Sequence, residues 1–304
     1  MTTTWQNILE LQRSINTHKE ALNQPSYMPL PQMGVLQVSG DDAQIFLQNL
    51  LTNDVNSLAN TQSQLSGFCN AKGRLLAVFL LIRNEQSYSL ILPKTMCASL
   101  LQRLSMFVLR SKVSITDQSD NIACIGLKQL ELETPELTSY STSAYRLQQR
   151  AIALIPLSQS QHFLTLAADN KWSLASEKSW ALLDIKAGLP MVYMDSKEKF
   201  TPQQINLDLV DGVSFSKGCY PGQEVVARLH YLGKPSRRLF QAQMTENDCP
   251  NSGDEVFTSE NNVAGHIVCA QIQEDSVQLL LSLKLTEIDS DLSINGKTVS
   301  LIKS

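Results

Sequence analysis

The sequence predicts an α+β protein that ends in a small all-β barrel or sandwich, and three patterns predict it. Ala43, Phe46, Leu47, Leu50 and Leu51 fall at i, i+3, i+4, i+7 and i+8, the apolar stripe of a helix docked on a sheet. The strand-like runs LSGFCNA, RLLAVFLLIR and SYSLILP follow. The first two are joined by Asn70-Ala71-Lys72-Gly73-Arg74, a tight connection of the hairpin type that implies antiparallel pairing. After Arg238 the chain breaks into FQAQM, EVFT, VAGHIVCAQI, VQLLLSL and TVSLI, separated by the turn-rich NSGDE, SENN, QEDS and NGK. Short strands at that spacing indicate a small barrel or sandwich.

The remaining elements follow in order. MGVLQV, residues 33–38, reads as a strand, and Gly40-Asp41-Asp42 opens the striped helix with Asp as its N-cap. Residues 95–108 read as a helix packed on the sheet, with strands near 112–116 and 121–127. The polar stretch LELETPELTSYSTS reads as a loop or boundary. A second unit begins near Ala144, with strands expected at 151–156 and 162–167, then a helix from Ser176 stopped by Gly188-Leu189-Pro190. The expected domains are 1–135 (α+β), 136–238 (α+β) and 239–304 (β-barrel), and no repeat of solenoid period is visible.

A chain of 304 residues with 43% hydrophobic content can bury two or three modest cores. It contains no apolar run of about 18 residues, and its start, MTTTWQNILELQRSINTHKE, carries Glu10 and Glu20 with no apolar h-region. A cytoplasmic protein with no membrane span is the expectation. The net charge of −4 is unevenly spread. Residues 241–304 are acidic, whereas 215–240 hold Lys217, Arg228, Lys234, Arg237 and Arg238 against a single Glu224. That cluster is either a solvated face or a site for an anionic partner. A pI near 5.6 lacks the broad basic surface of a nucleic-acid binder, so strong direct nucleic-acid binding is not expected.

Common catalytic signatures are absent: no P-loop, GxGxxG, GxSxG or HExxH occurs. The cysteines at 69, 97, 124, 219, 249 and 269 form no CxxC, which makes reduced thiols the default and leaves no clustered metal motif. The exception to this blandness is SKGCYPGQEVVAR, residues 216–228. Cys219 there admits two readings. Lys217 and free backbone N–H groups would lower its pKa to give a reactive thiolate, or the Cys is simply packed, with Gly218 and Gly222 at φ > 0 and Gln223 and Glu224 capping the next helix. Trp180, in SWALLDIKAG with Leu183 and Ala187 on its face, is likewise either core or a stacking wall for a flat heteroaromatic ligand.

WALLDIKAGLP, FTPQQINLDLVDGVSF and KGCYPGQEVVAR together resemble the YgfZ family of folate-binding proteins, whose motif KGCYxGQE is matched by Lys217, Gly218, Cys219, Tyr220, Gly222, Gln223 and Glu224. VSGDDAQIFLQNLLTNDV and FCNAKGRLLA are similar to family segments as well. The resemblance implies the fold of the glycine cleavage T-protein: pseudo-symmetric α+β units around a central folate pocket, plus a small C-terminal β-barrel. It also implies tetrahydrofolate as cofactor. The implied role is an accessory one in maturation or repair of iron-sulfur enzymes, including those that methylthiolate tRNA, with such enzymes or assembly proteins as transient partners. Carried over by position, Trp180 is the folate-contacting residue, Met33 stands where the family has a second tryptophan, and Cys219 and Lys217 form the functional loop. Met offers a polarizable sulfur but less flat area, and Lys186 stands where many relatives have an acid. The rival reading is a folate-dependent aminomethyltransferase, which needs a buried acid such as Asp184 or Asp208.

Overall fold

The computed structural model describes residues 5–14, 24–85, 87–129, 141–145, 150–246 and 248–302. Its α-helices are α1 (Trp5–Ser14), α2 (Ala43–Gln48), α3 (Lys94–Val108), α4 (Ser160–Asp169), α5 (Glu177–Lys186) and α6 (Gln223–Tyr231). By contacts the described residues fall into two compact units, one drawn from 1–43, 58–63 and 80–181, the other from 44–57, 64–79 and 182–304.

In the first unit, β1 (Ser26–Pro29), β7 (Ile122–Lys128), β8 (Ser141–Tyr145), β9 (Arg150–Pro156) and β10 (Ser173–Leu174) form a sheet in the order β10-β1-β7-β9-β8. The β1–β10 pair is parallel and the other pairs are antiparallel. Strand alternation sends Ile125 and Leu127 of β7 to the face where Tyr27, Ala153, Ile155, Phe163 and Ile8 make a core. Gly126 consequently points the other way. A second sheet runs β3-β4-β5-β2-β6, from β2 (Met33–Ser39), β3 (Ser63–Cys69), β4 (Leu75–Asn84), β5 (Ser87–Pro93) and β6 (Ser114–Asp117), the chain passing from one unit to the other within β4. Met96, Cys97, Leu100 and Leu104 form the buried side of α3.

The second unit contains a closed barrel in the order β11-β14-β13-β12-β15-β16. Its strands are β11 (Arg237–Met244), β12 (Glu255–Thr258), β13 (Val263–Gln273), β14 (Ser276–Lys284), β15 (Leu292–Ile294) and β16 (Lys297–Leu301). Val277, Leu279, Leu281 and Leu283, at alternate positions of β14, fill its core with Ile267, Leu292 and Ile294. Asn295 and Gly296 both have positive φ, as a two-residue turn between β15 and β16 requires.

The α+β class and the barrel are as the sequence predicts, and three local expectations are corrected. Residues 162–167 are helix, not strand: Ser160, Phe163, Leu164 and Ala167 are the buried side of α4, at i, i+3, i+4 and i+7. The apparent alternation of HFLTLA is a short sample of that helical stripe. Asp42 does not cap α2 as expected, because its carboxylate accepts from Lys112 N–H at 2.7 Å. The stretch 130–143 lies outside the described residues up to 140, and its last three residues open β8. Helix α1 and strands β1, β10 and β15 are elements that the sequence patterns above do not predict. Among the described residues no helix is long and apolar enough to cross a membrane.

Candidate functional site

The loop that carries Cys219 is anchored by the residue two places before it. Lys217 is buried, 8% exposed, and its ammonium donates to the carbonyls of Gln48 (2.6 Å), Leu51 (2.6 Å) and Asn53 (3.0 Å). Gln48 ends α2 and Leu51 follows within a turn, where carbonyls lack intrahelical donors and the helix dipole is negative. An ammonium has three protons, and here each meets one such acceptor. Burial pushes the Lys217 pKa down to about 8, opposed by the Asp54 carboxylate. At neutral pH the charged, three-donor form therefore persists. The same ammonium lies 5.3 Å from the ring centroid of buried Tyr220. Lys217 thus has no proton left to donate to a thiolate at Cys219.

The far side of the loop rests on the β3–β4 turn. Gly222 has φ +80°, and a Cβ on it would lie 2.4 Å from Asn70 O and 2.7 Å from Gly73 Cα. Gly73, at φ +71°, would in turn bring a Cβ to 3.0 Å from Val225 Cβ. Only two glycines allow these backbones to nest. Asn70 shapes the turn: its Oδ1 accepts from Lys72 N and Arg74 N, and its Nδ2 donates to Glu198 Oε2 at 3.1 Å. The expectation of φ > 0 at both loop glycines is corrected for Gly218, which lies outside that region and would bring a Cβ within 4 Å of nothing. No side-chain cap forms at the start of α6 either, although Glu224 sits in its first turn.

Trp180 and Met33 belong to the first unit. Trp180 is 4% exposed, and its indole lies against Gly126, whose Cβ would come to 2.3 Å from Trp180 Cε3. The guanidinium of buried Arg150 stands over the ring at 4.9 Å from the centroid. Met33 opens β2 opposite Pro93 and is half-buried.

Comparison with known proteins then decides the family. The model for the GCVT N-terminal domain matches residues 12–128. The tRNA-modifying protein YgfZ of Aliivibrio fischeri (strain ATCC 700601 / ES114) is 31% identical over 291 residues, covering 89% of this chain and 91% of that protein. The protein of the same name from Colwellia psychrerythraea is 30% identical over 283 residues, covering 87% of this chain and 86% of that protein. The chain belongs to the YgfZ family. The glycine cleavage system aminomethyltransferase T from Bartonella henselae shares its fold, with a TM-score of 0.72 over 97% of this chain and 88% of that one at 15% identity.

In this YgfZ-family chain two of the cysteines are exposed, Cys219 and Cys249, and of these only Cys219 stands in the KGCYPGQE loop. Burial pushes Cys69 and Cys124 up to about 12 and raises Cys97, Cys249 and Cys269, so these favour the neutral thiol. Cys219 is exposed. The basic cluster read from the sequence separates into different jobs: Lys217 is committed to carbonyls, Arg228 and Lys234 are exposed, and Arg238 pairs with Asp208 through both carboxylate oxygens at 2.7 and 3.0 Å. Asp208, one of two acids considered for folate chemistry, is therefore charge-matched. Asp184 is half-buried near Tyr193 and Cys269, and the Lys186 side chain is exposed. His230 stacks on Phe215 with centroids 3.6 Å apart. Sequence reasoning missed Asn70 and Arg150. The FCNAKGR turn was a usable signal for the first, and nothing local marks the second.

Proposed function

We propose that this chain binds a reduced folate, tetrahydrofolate or a close derivative, and acts in the cytoplasm as an accessory factor that supports iron-sulfur enzymes and through them tRNA modification. The observation that carries the reading is the Lys217–Cys219 loop. A buried ammonium and two nested glycines hold one exposed cysteine in a fixed place, in a family whose relatives bear the name tRNA-modifying protein. Rigid support of an exposed thiol suits a group that meets a partner or a reactive one-carbon species. For the folate, Trp180 supplies the π-surface and Met33 a polarizable neighbour. A heterocycle stacked on Trp180 would take the place that the Arg150 guanidinium now holds over the ring.

Two measurements test the reading. Titration calorimetry should show tetrahydrofolate binding by the wild type and clear weakening in Trp180→Ala; no binding, or equal binding by both, refutes the folate assignment. In a deletion strain, wild type should restore iron-sulfur enzyme activity and tRNA methylthiolation, whereas Cys219→Ala at equal protein level should not. Full rescue by Cys219→Ala removes the thiol from the function.

A further inference from the structure

A cleft of about 510 Å³ opens within the second unit between the β3–β4 turn, residues 198–204 and the barrel wall, and it collects positive charge. Lys72, Arg74, Lys199, Arg237 and His266 line it, against Glu198 as the carboxylate. Part of this charge is committed. Arg74 Nη1 donates to Lys199 O at 2.6 Å and Gln204 Oε1 at 3.3 Å, Lys199 Nζ donates to Gly253 O at 2.8 Å, and Glu198 accepts from Asn70. Part is not. Arg237 Nε is buried with no acceptor, and Lys72 makes no ion pair among the described residues. A buried guanidinium N–H without an acceptor is costly in isolation. Strand alternation explains its direction, because Arg238 turns to Asp208 while its neighbour Arg237 faces the cleft.

We propose that this cleft binds a small, multiply charged oxyanion, a phosphate-bearing or polycarboxylate metabolite, gripped by Arg237 and Lys72 with Arg74 and Lys199 behind them. Several cations converging on one concavity give the field that such a ligand needs, and a guanidinium presents its N–H groups as a fork that matches paired oxygens. His266 reports on the same field. Burial holds its pKa below the ordinary value, Lys199, Arg237 and Lys284 push it the same way, and Glu255 opposes them. An anion among these cations would offset their effect and move the His266 titration upward. The site stands apart from the folate reading, since it uses neither Trp180 nor Cys219.

The test uses the full chain at low ionic strength with inorganic pyrophosphate and citrate as probes, followed by calorimetry and by the imidazole NMR signal of His266. Saturable binding with an upward shift of the His266 titration is expected for at least one probe, weakened roughly tenfold or more in Arg237→Ala and in Lys72→Ala. Lys72 is exposed on the turn, so its variant keeps the test valid if Arg237→Ala folds poorly. Lys234→Ala should bind as wild type does. Pyrophosphate alone identifies a phosphate-bearing ligand, and citrate alone a polycarboxylate. Absence of saturable binding for both probes, or affinity unchanged in Lys72→Ala, overturns the proposal.

Discussion

Gly222 and Gly73 touch backbone to backbone: a Cβ on Gly222 would stand 2.7 Å from both Cα and N of Gly73. This contact seats the Cys219 loop on the β3–β4 turn and makes one glycine indispensable where its neighbour is not. Gly222→Ala combines a positive φ with a backbone clash and should destabilise the protein by about 3 kcal/mol. Gly218→Ala, with open space and ordinary φ, should change stability by less than about 0.5 kcal/mol. Urea denaturation of both variants checks the pair, and equal losses would refute the nested-glycine account.

Lys217→Met removes three donors from three carbonyls and should lower stability by about 3 kcal/mol at neutral pH. The pH dependence has a definite sign. The folded-state pKa of about 8 lies below that of an unfolded lysine, so between the two values the unfolded chain binds the extra proton. The contribution of Lys217 to stability therefore rises as pH climbs from about 8 to about 10.4. Melting curves across that window should show wild type gaining on Lys217→Met, and a constant gap would contradict the depressed pKa.

Arg238 and Asp208 form a mostly buried pair, with side chains 23% and 6% exposed. Truncating either partner strands the other, so Asp208→Ala and Arg238→Ala should each lose about 2 kcal/mol. Their double mutant should lose much less than the sum, and additive losses in the cycle would show that the contact carries no energy.

Cys219→Ser should leave stability within about 0.5 kcal/mol of wild type, because the thiol is exposed. Native-state alkylation with iodoacetamide should modify Cys219 and the other exposed cysteine, Cys249, ahead of Cys69, Cys97, Cys124 and Cys269, whose thiols burial holds neutral. Peptide mapping of the singly modified protein reads the order directly.

Periodicity made much of this fold legible. The stripe of Ala43, Phe46, Leu47, Leu50 and Leu51 is buried throughout, and the runs around NAKGR and after Arg238 are strands. It failed at α4, where HFLTLA samples less than two helical turns and alternation and helical spacing cannot be told apart. The candidate site was legible as a motif, since Lys217, Cys219, Tyr220 and Gly222 stand together in one segment. Their partners were not, because the Lys217 ammonium reaches back to Gln48, Leu51 and Asn53, more than 160 residues earlier in the chain.

By itself, then, the sequence determined the α+β class, the barrel, the family motif and the two turns that carry glycine. Local patterns suffice for these, since apolar spacing and turn chemistry act over a few residues. Only the tertiary structure decided that Lys217 is a clasp for Gln48, Leu51 and Asn53, that Gly222 nests with Gly73, that Arg150 covers Trp180, and that Arg237 turns away from Arg238 into a cationic cleft. Each of these depends on partners distant in the chain, and which donor meets which acceptor is settled by burial and chain crossing, not by the identity of the next residue.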